Sequence, residues 1–569
     1  MGDARGEREL TLRAVLVGCL LGALLAAANV YTGLKTAVVD GGNITAAVLA
    51  FALFSALRAR PLLGVLENNV VQTIAGSAAM MAMVTGVVGP VPALALAGHE
   101  PAVGVLVLWA LGLALLGIML GLLLRGLLID AQGLPFPTGA ATAEVIEALA
   151  GDRGTAARRA RALLVAALLA GLLTLLRDGP WAWLPASLLL PGTLAGVSLA
   201  SLSIGFSVSP LLLGTGVLVG LRTSLAMLLG SLVAWALLAP RLLSLRLVSD
   251  LRYEQFVTWL VWPGAALMLA SSLTSLGLSS GALLRGIRDL SRLRPAHGSP
   301  GRRFRWYWLA LALVSSGLVL TVACAHFGLS PAMALGALAL SCVLSVACAR
   351  SAGETDVAPV GAMGGVAQLA CGGSGTVASL ACGALVAGQA SQTAATLWAL
   401  KAGARLGASV RSQALAQLVG ALVGALVAVP TYAVVVRAYG LGSERMPAPG
   451  ALSWKATADA VQGGFAALPA YAGSAALVGL GLGVLLTLLE RTRFGSFVPS
   501  PVALGIGLIL PASLSATVAL GAAVWWLLAR RFAAWSAEHG AALAGGAIAG
   551  ESLLAVLLAV LLASGVITL

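Results

Sequence analysis

The chain predicts an all-α polytopic membrane protein of roughly fourteen to sixteen transmembrane helices, in two related halves interrupted by broken or re-entrant segments. Three observations predict it. Hydrophobic residues make up 59% of the 569 positions and charged residues only 10%, with a mean hydropathy of +0.99, whereas charged residues are about a quarter of a soluble domain. Apolar runs long enough to cross a bilayer follow one another along the sequence. Between them lie glycine- and proline-rich stretches that carry carboxylates, amides and hydroxyls.

Charge and cysteine usage narrow the class further. The formal net charge is +13, but the arginines cluster in short connections between apolar runs and form no basic domain. That is how cytoplasmic loops look under the positive-inside rule, so nucleic acid is not the expected partner. Six cysteines show no CxxC pair and sit in apolar or glycine-rich runs, so neither a disulfide framework nor a zinc site is expected. His326 follows Cys324 in a lone pair without further ligands, and no metal site or cofactor is expected.

In chain order, Thr11–Ala28 reads as an uncleaved first span. Apolar runs follow at 43–57, 69–88, 102–124, 162–176, 181–204, 211–238 and 256–278. Then comes 285–305, RGIRDLSRLRPAHGSPGRRFR, with seven arginines, two prolines and no apolar period. It reads as a cytoplasmic linker dividing an N-terminal membrane half, 1–284, from a C-terminal half, 306–569. The second half continues through 306–327, 332–348, 376–400, 414–436, 468–489, 498–528 and 541–567.

Each half carries three polar interruptions in similar order: 29–36, 67–76 and 133–144 in the first, 354–365, 388–393 and 495–511 in the second. Paired interruptions in two halves point to a substrate site at the interface of a repeat-built transporter. The central stretch Ser351–Gly375 holds Glu354, Asp356, one proline and seven glycines. Such backbone cannot be an ordinary span, because lipid satisfies no N–H or C=O group. Ionisable residues at membrane depth are expensive unless they meet ions, protons or substrate. The candidate substrate-binding residues are Asn29, Tyr31, Lys35, Glu67, Asn68, Gln72, Pro135, Thr138, Gln389 and Gln392. Lys35 offers a compact charge to a carboxylate, and Glu67 with neighbouring amides offers acceptors to an ammonium. Pro135 and Pro137 fix the backbone before Thr138, which is placed to cap a helix over 140–149, and a helix start of that kind favours an anion. Glu354, Asp356 and Glu67 are the proton-coupling candidates, since burial among apolar helices favours the protonated carboxyl. Arg222 and Glu551 rank lower.

These stretches carry a resemblance. NVYTGLKT, LPFPTGAATAEVI, ETDVAPVGAMGGVAQL, LKAGARLGAS and FVPSPVALGIGLILP, in that order, resemble the oligopeptide transporter (OPT) family, which includes the yellow stripe-like metal-chelate carriers. The resemblance covers almost the whole chain. It implies a secondary transporter that moves small peptides, or metals wrapped in peptide-like chelators, driven by protons. A short N-terminus and a compact central linker are closer to a bacterial member, which implies the inner membrane. The rival classes are weaker. An ATP-driven pump lacks a P-loop, because Gly33–Thr36 has no adjacent Gly-Lys. An intramembrane serine protease would use Gly372–Gly375, GGSG, but needs a histidine on a neighbouring span. An ion channel would differ by showing no saturable uptake. GxxxG spacings at Gly18/Gly22, Gly117/Gly121 and Gly420/Gly424 permit close helix contacts and imply no oligomeric state.

Overall fold

The computed structural model describes residues 9–56, 63–151, 153–248, 253–278, 281, 302–356, 358–464 and 468–567. Most of the expected linker, 285–301, lies outside these. The first half contains α1 (Leu12–Thr36), α2 (Asn43–Ala56), α3 (Val65–Val84), α4 (Pro90–Leu96), α5 (Val103–Arg125), α6 (Pro137–Gly151), α7 (Arg153–Asp178), α8 (Pro210–Leu232), α9 (Ala239–Ser244) and α10 (Tyr253–Leu278). The second contains α11 (Arg302–His326), α12 (Pro331–Thr355), α13 (Val360–Ala370), α14 (Thr376–Leu406), α15 (Val410–Tyr439), α16 (Pro449–Gly463), α17 (Ala472–Glu490), α18 (Pro501–Ile509), α19 (Ala512–Arg531) and α20 (Ala533–Ala563). Among the described residues, ten helical segments are long and apolar enough to cross a membrane.

Two long helices fall outside that set because of what they carry. α3 holds Glu67, Asn68, Asn69, Gln72, Thr73 and Ser77, and α14 holds Gln389, Ser391, Gln392, Thr393 and Thr396. Lipid would not tolerate them, and they do not meet it. Every residue of α3 from Leu66 to Ala82, and of α14 from Ala378 to Leu397, is buried. The bundle is therefore built around its most polar helices. Glycines let the neighbours approach: Gly18 and Gly22 of α1 seat on Ile74 and Ala78, Gly420 and Gly424 of α15 on Ile74, Ser77 and Ala78, and Gly117 and Gly121 of α5 on Gln392 and Thr396. All three GxxxG pairs thus pack within the bundle, as small residues do between membrane helices.

The central helices belong to two similar units. In the first, α1 ends at Ala37 in the left-handed region (φ 60°), the chain extends, short α2 follows, and α3 runs parallel to α1. In the second, α12 ends at Asp356, also left-handed (φ 64°), short α13 follows, and α14 runs parallel to α12. Gly364 against Gly383, and Ser379 Oγ donating to Gln368 O at 3.0 Å, make α13 and α14 an antiparallel hairpin. The central stretch is a broken span, as its glycines and proline require. Leu66 at the start of α3 shares a cluster with Leu406 at the end of α14, while Gly388 lies on the Val84 carbonyl. The two units therefore run in opposite directions.

Several expectations need correction. The stretches 29–36, 67–76 and 388–393 are continuous helix; their polar groups bond neighbouring helices and backbone without breaking the chain. The run 181–204 is not a span. Pro185, Pro191, Gly192 and Gly196 divide it into short antiparallel pairs, β1 (Ser187–Leu189) with β4 (Gly205–Ser207) and β2 (Thr193–Leu194) with β3 (Val197–Ser198). Cys371 and Cys382 form a disulfide across the turn between α13 and α14, a pairing that their separation of 11 positions hid. The helix expected over 140–149 begins earlier, at Pro137.

Candidate functional site

Three constellations hold the sequence candidates. The first is a buried charge cluster where α1, α7, α8 and α20 meet. Lys35 Nζ lies 3.0 Å from Glu551 Oε1 and donates to Tyr31 Oη at 3.3 Å. Arg177 Nη2 reaches the same Glu551 oxygen at 3.1 Å, and Arg177 also pairs with Asp178. Ser209 Oγ is 2.8 Å from Glu551 Oε2, and Leu211 N donates to that oxygen at 2.9 Å, so the start of α8 points its dipole at the carboxylate. Thr32 Oγ1 and Ser552 Oγ are 2.9 Å apart alongside. Glu551 is 0% exposed. With two cations and two carboxylates the cluster is neutral, and its donors saturate Glu551. It fastens four helices together.

Sequence reasoning found Lys35 and Tyr31 and ranked Glu551 low, but it missed Arg177 and Ser209. The available signal was Arg177 itself, next to Asp178 at the end of an apolar run. Asn29 is close by in sequence yet has a different task. Its Nδ2 donates to the Asp40 and Ala79 carbonyls at 2.7 and 3.0 Å, tying the extended chain after α1 to α3.

The second constellation is a joint between the halves at the arginine-rich end. Asp356 accepts from Thr138 N at 3.0 Å and from Thr138 Oγ1 at 2.6 Å. The anion expected at the start of α6 is thus supplied by the other half of the chain. Phe136 N donates to Gly353 O at 3.0 Å, and Arg350 bridges Glu354 at 2.8 Å and Gln132 Oε1 at 3.0 Å. Pro135 is exposed at this joint. Glu67 lies at the same end but apart, at the start of α3. It is held by Arg13, by Thr11 Oγ1 at 2.6 Å and by Gly64 N at 3.0 Å.

The third is an amide seam on the central helices. Gln392 Nε2 donates to Ser77 Oγ at 3.3 Å and Gln417 Oε1 at 3.2 Å, joining α14, α3 and α15. Gln389 Oε1 accepts from Ser341 Oγ of α12 at 2.6 Å. On α3, Gln72 Nε2 donates to Asn69 Oδ1 at 2.9 Å and Asn68 Nδ2 to the Ala47 carbonyl at 3.3 Å. Much of the seam has no partner: Asn68 Oδ1, Asn69 Nδ2, Gln72 Oε1, Ser391 Oγ, Gln392 Oε1 and Thr396 Oγ1 are buried without a hydrogen bond. Each such atom costs about 1–3 kcal/mol in a packed interior if nothing bonds it, so six in one pair of helices single out this seam as a candidate site.

Other motifs are accounted for. Ser374 of the GGSG turn donates to the Cys371 carbonyl at 2.9 Å, and His539 stacks on Trp535 near the opposite end of the molecule. Arg222 lies in α8, half-exposed, and pairs with Glu490 at 2.6 Å.

Comparison with known proteins agrees with this architecture. The sequence matches the family described as OPT oligopeptide transporter protein over residues 9–562. It is 26% identical over 618 residues to a Haemophilus influenzae protein named "Putative oligopeptide transporter", covering 95% of this chain and 93% of that one. It is 24% identical over 670 residues to a Saccharomyces cerevisiae protein named in the same words, covering 91% of each.

Proposed function

The chain belongs to the OPT oligopeptide transporter family, and from that membership we propose a proton-driven symporter that carries short peptides across the bacterial inner membrane. The observation that carries the proposal is the amide seam. Two helices buried on every side present unpartnered amide and hydroxyl groups. Polar groups inside a membrane bundle mark substrate pathways by default. Gln72, Gln389, Gln392 and Asn68 contact the peptide in this reading. The halves 1–284 and 306–569 rock against each other across the seam, since opposed repeats suit alternating access around a midplane site.

Asp356 is the coupling carboxylate of the three candidates. Glu67 and Glu354 are each held in an ion pair with an arginine. Asp356 is held at the joint by the neutral donors of Thr138, and a proton on its carboxyl removes an acceptor from the start of α6. Protonation thereby loosens the joint.

The test is uptake of a short-peptide pool into proteoliposomes with and without an inward proton gradient. Gradient-driven, saturable accumulation is expected in the parent and in Glu354→Gln, and its loss in Asp356→Asn. Non-saturable flux would indicate a channel. Accumulation of ferric chelates in place of peptides would move the substrate to that class. Equal accumulation by parent and Asp356→Asn would remove Asp356 from the coupling step.

A further inference from the structure

Between the end of α7 and the start of α8 the chain runs from Gly179 to Ser209 without one lysine, arginine, histidine or acidic residue. It folds as the two strand pairs β1–β4 and β2–β3, in effect one interrupted hairpin. Its place follows from α7. That helix starts beside the Arg158–Glu538 pair at the arginine-rich end and runs for 26 residues, about 39 Å at 1.5 Å per residue. The hairpin therefore lies at the opposite end.

Part of the hairpin is seated on the protein. Leu202 is fully buried, and Val197 and Ile204 pack with it against the cluster that holds Trp235 and Tyr253. Ser203 Oγ donates to Glu444 Oε1 at 3.3 Å, and Ser207 N to Thr517 Oγ1 at 2.8 Å. The rest is apolar and uncovered. Trp181 and Trp183, with ring centroids 5.8 Å apart, are 60% and 70% exposed. Leu188 and Phe206, paired across β1 and β4, are 59% and 40% exposed, and Leu190 is exposed with them.

Three observations decide what covers these side chains. The patch continues the outer surface of α7, the least buried of the ten candidate spans, where Leu164, Leu168 and Leu172 are exposed; lipid already lies beside it. Contacts between proteins end in a polar rim, and this stretch supplies no charge for one. Two-stranded pairs leave their outer N–H and C=O groups open, which excludes the hydrocarbon core but not the headgroup layer, where tryptophan is enriched.

We propose that residues 181–206 form a membrane-surface hairpin. It lies at the boundary of headgroups and acyl chains in the leaflet opposite the arginine-rich end, turns Trp181, Trp183, Leu188 and Phe206 to lipid, and braces the end of α7 and the start of α8 against the bilayer. This role is independent of the substrate path and holds whatever the carrier transports.

Nitroxide labels at Leu188→Cys and Phe206→Cys, in a background without Cys19, Cys324, Cys342 and Cys348, test it in proteoliposomes. Leu168→Cys on α7 and Glu100→Cys before α5, both at exposed positions, are the lipid and water references. The readout is the ratio of collisions with oxygen, which concentrates in the bilayer, to collisions with a water-soluble nickel chelate. Both hairpin labels are expected to give ratios well above that of Glu100→Cys and below that of Leu168→Cys. Lipids brominated near the headgroup are expected to quench the fluorescence of the parent more than that of Trp181→Phe/Trp183→Phe. Ratios equal to that of Glu100→Cys would put the hairpin in water and overturn the proposal. Spin–spin broadening that fades when labelled protein is diluted with unlabelled protein would put a second copy of the chain on the hairpin and overturn it too. Thermal melting identifies any cysteine variant that fails to fold; the quenching comparison then decides alone, and equal quenching of the two proteins overturns the proposal.

Discussion

At the scale of single residues, Glu551 is the test of how buried charge is used. It accepts from Lys35, Arg177, Ser209 and the Leu211 amide and is wholly enclosed. Removing one partner of such a group leaves an uncompensated charge, at a cost of about 3–5 kcal/mol. Glu551→Gln is therefore expected to lower the melting temperature sharply. Glu354→Gln, whose side chain is 26% exposed where Glu551 is 0%, should cost less, since water reaches the carboxylate and Gln132 Oε1 still accepts from Arg350. The double variant Glu551→Gln/Lys35→Met restores neutrality around Arg177 and Asp178 and should melt above Glu551→Gln alone, a non-additivity that a double-mutant cycle reads directly. If the single and double variants melt together, the cluster is not held by charge balance. Lys35 and Tyr31 were legible in the sequence because they interrupt an apolar run. Arg177 was not, because its partner Glu551 lies 374 positions away and an arginine at the end of a span reads as an ordinary interfacial residue.

At the scale of the elements, α3 and α14 are gripped by glycines, and the grip is testable. A Cβ on Gly420 would lie 2.2 Å from the Ile74 carbonyl oxygen, backbone that cannot step aside. Gly420→Ala is expected to cost about 1–3 kcal/mol by forcing α15 off α3. Gly336, in the interior of α12, has nothing within 4 Å of that position, so Gly336→Ala should be neutral or gain up to about 1 kcal/mol from helix propensity. Detergent melting of the two variants checks both, and equal effects would mean that close approach is not what Gly420 supplies. The sequence announced where most helices lie, because length and apolarity are local properties. Whether a polar stretch such as 67–76 breaks a helix or lines one was not legible, since that depends on partners such as Gln417 and Ser341 on other helices. Hydropathy likewise misread 181–204, where prolines and glycines override composition. The joint was half legible: both of its stretches stood out by their prolines and carboxylates, but only the fold brings Thr138 to Asp356.

At the scale of the whole molecule, the two halves meet at one end through the joint, and a carrier with alternating access would have to open it. That end is rich in arginine: Arg13, Arg158, Arg350 and Arg405 pair there with Glu67, Glu538, Glu354 and Glu144. We propose from the positive-inside rule that it is the cytoplasmic end; the bonds Thr138–Asp356, Phe136–Gly353 and Arg350–Gln132 hold it together in this conformation. Closure at one end predicts that tying it permanently stops transport while leaving the fold intact. Gln132→Cys/Arg350→Cys, in a background without the four free cysteines Cys19, Cys324, Cys342 and Cys348, places one thiol on each side without touching Asp356. Bridging these thiols with a short reversible bis-thiosulfonate is expected to abolish substrate counterflow, and thiol treatment to restore it. The parent, treated identically, controls for reduction of the Cys371–Cys382 bond. Counterflow needs no proton gradient, so the result reports opening of the joint separately from coupling. A bridged protein that exchanges substrate at the parent's rate would show that the two halves do not part here. The broken span at Asp356 would then be an anchor, and the moving element would have to be sought among the helices that close the other end.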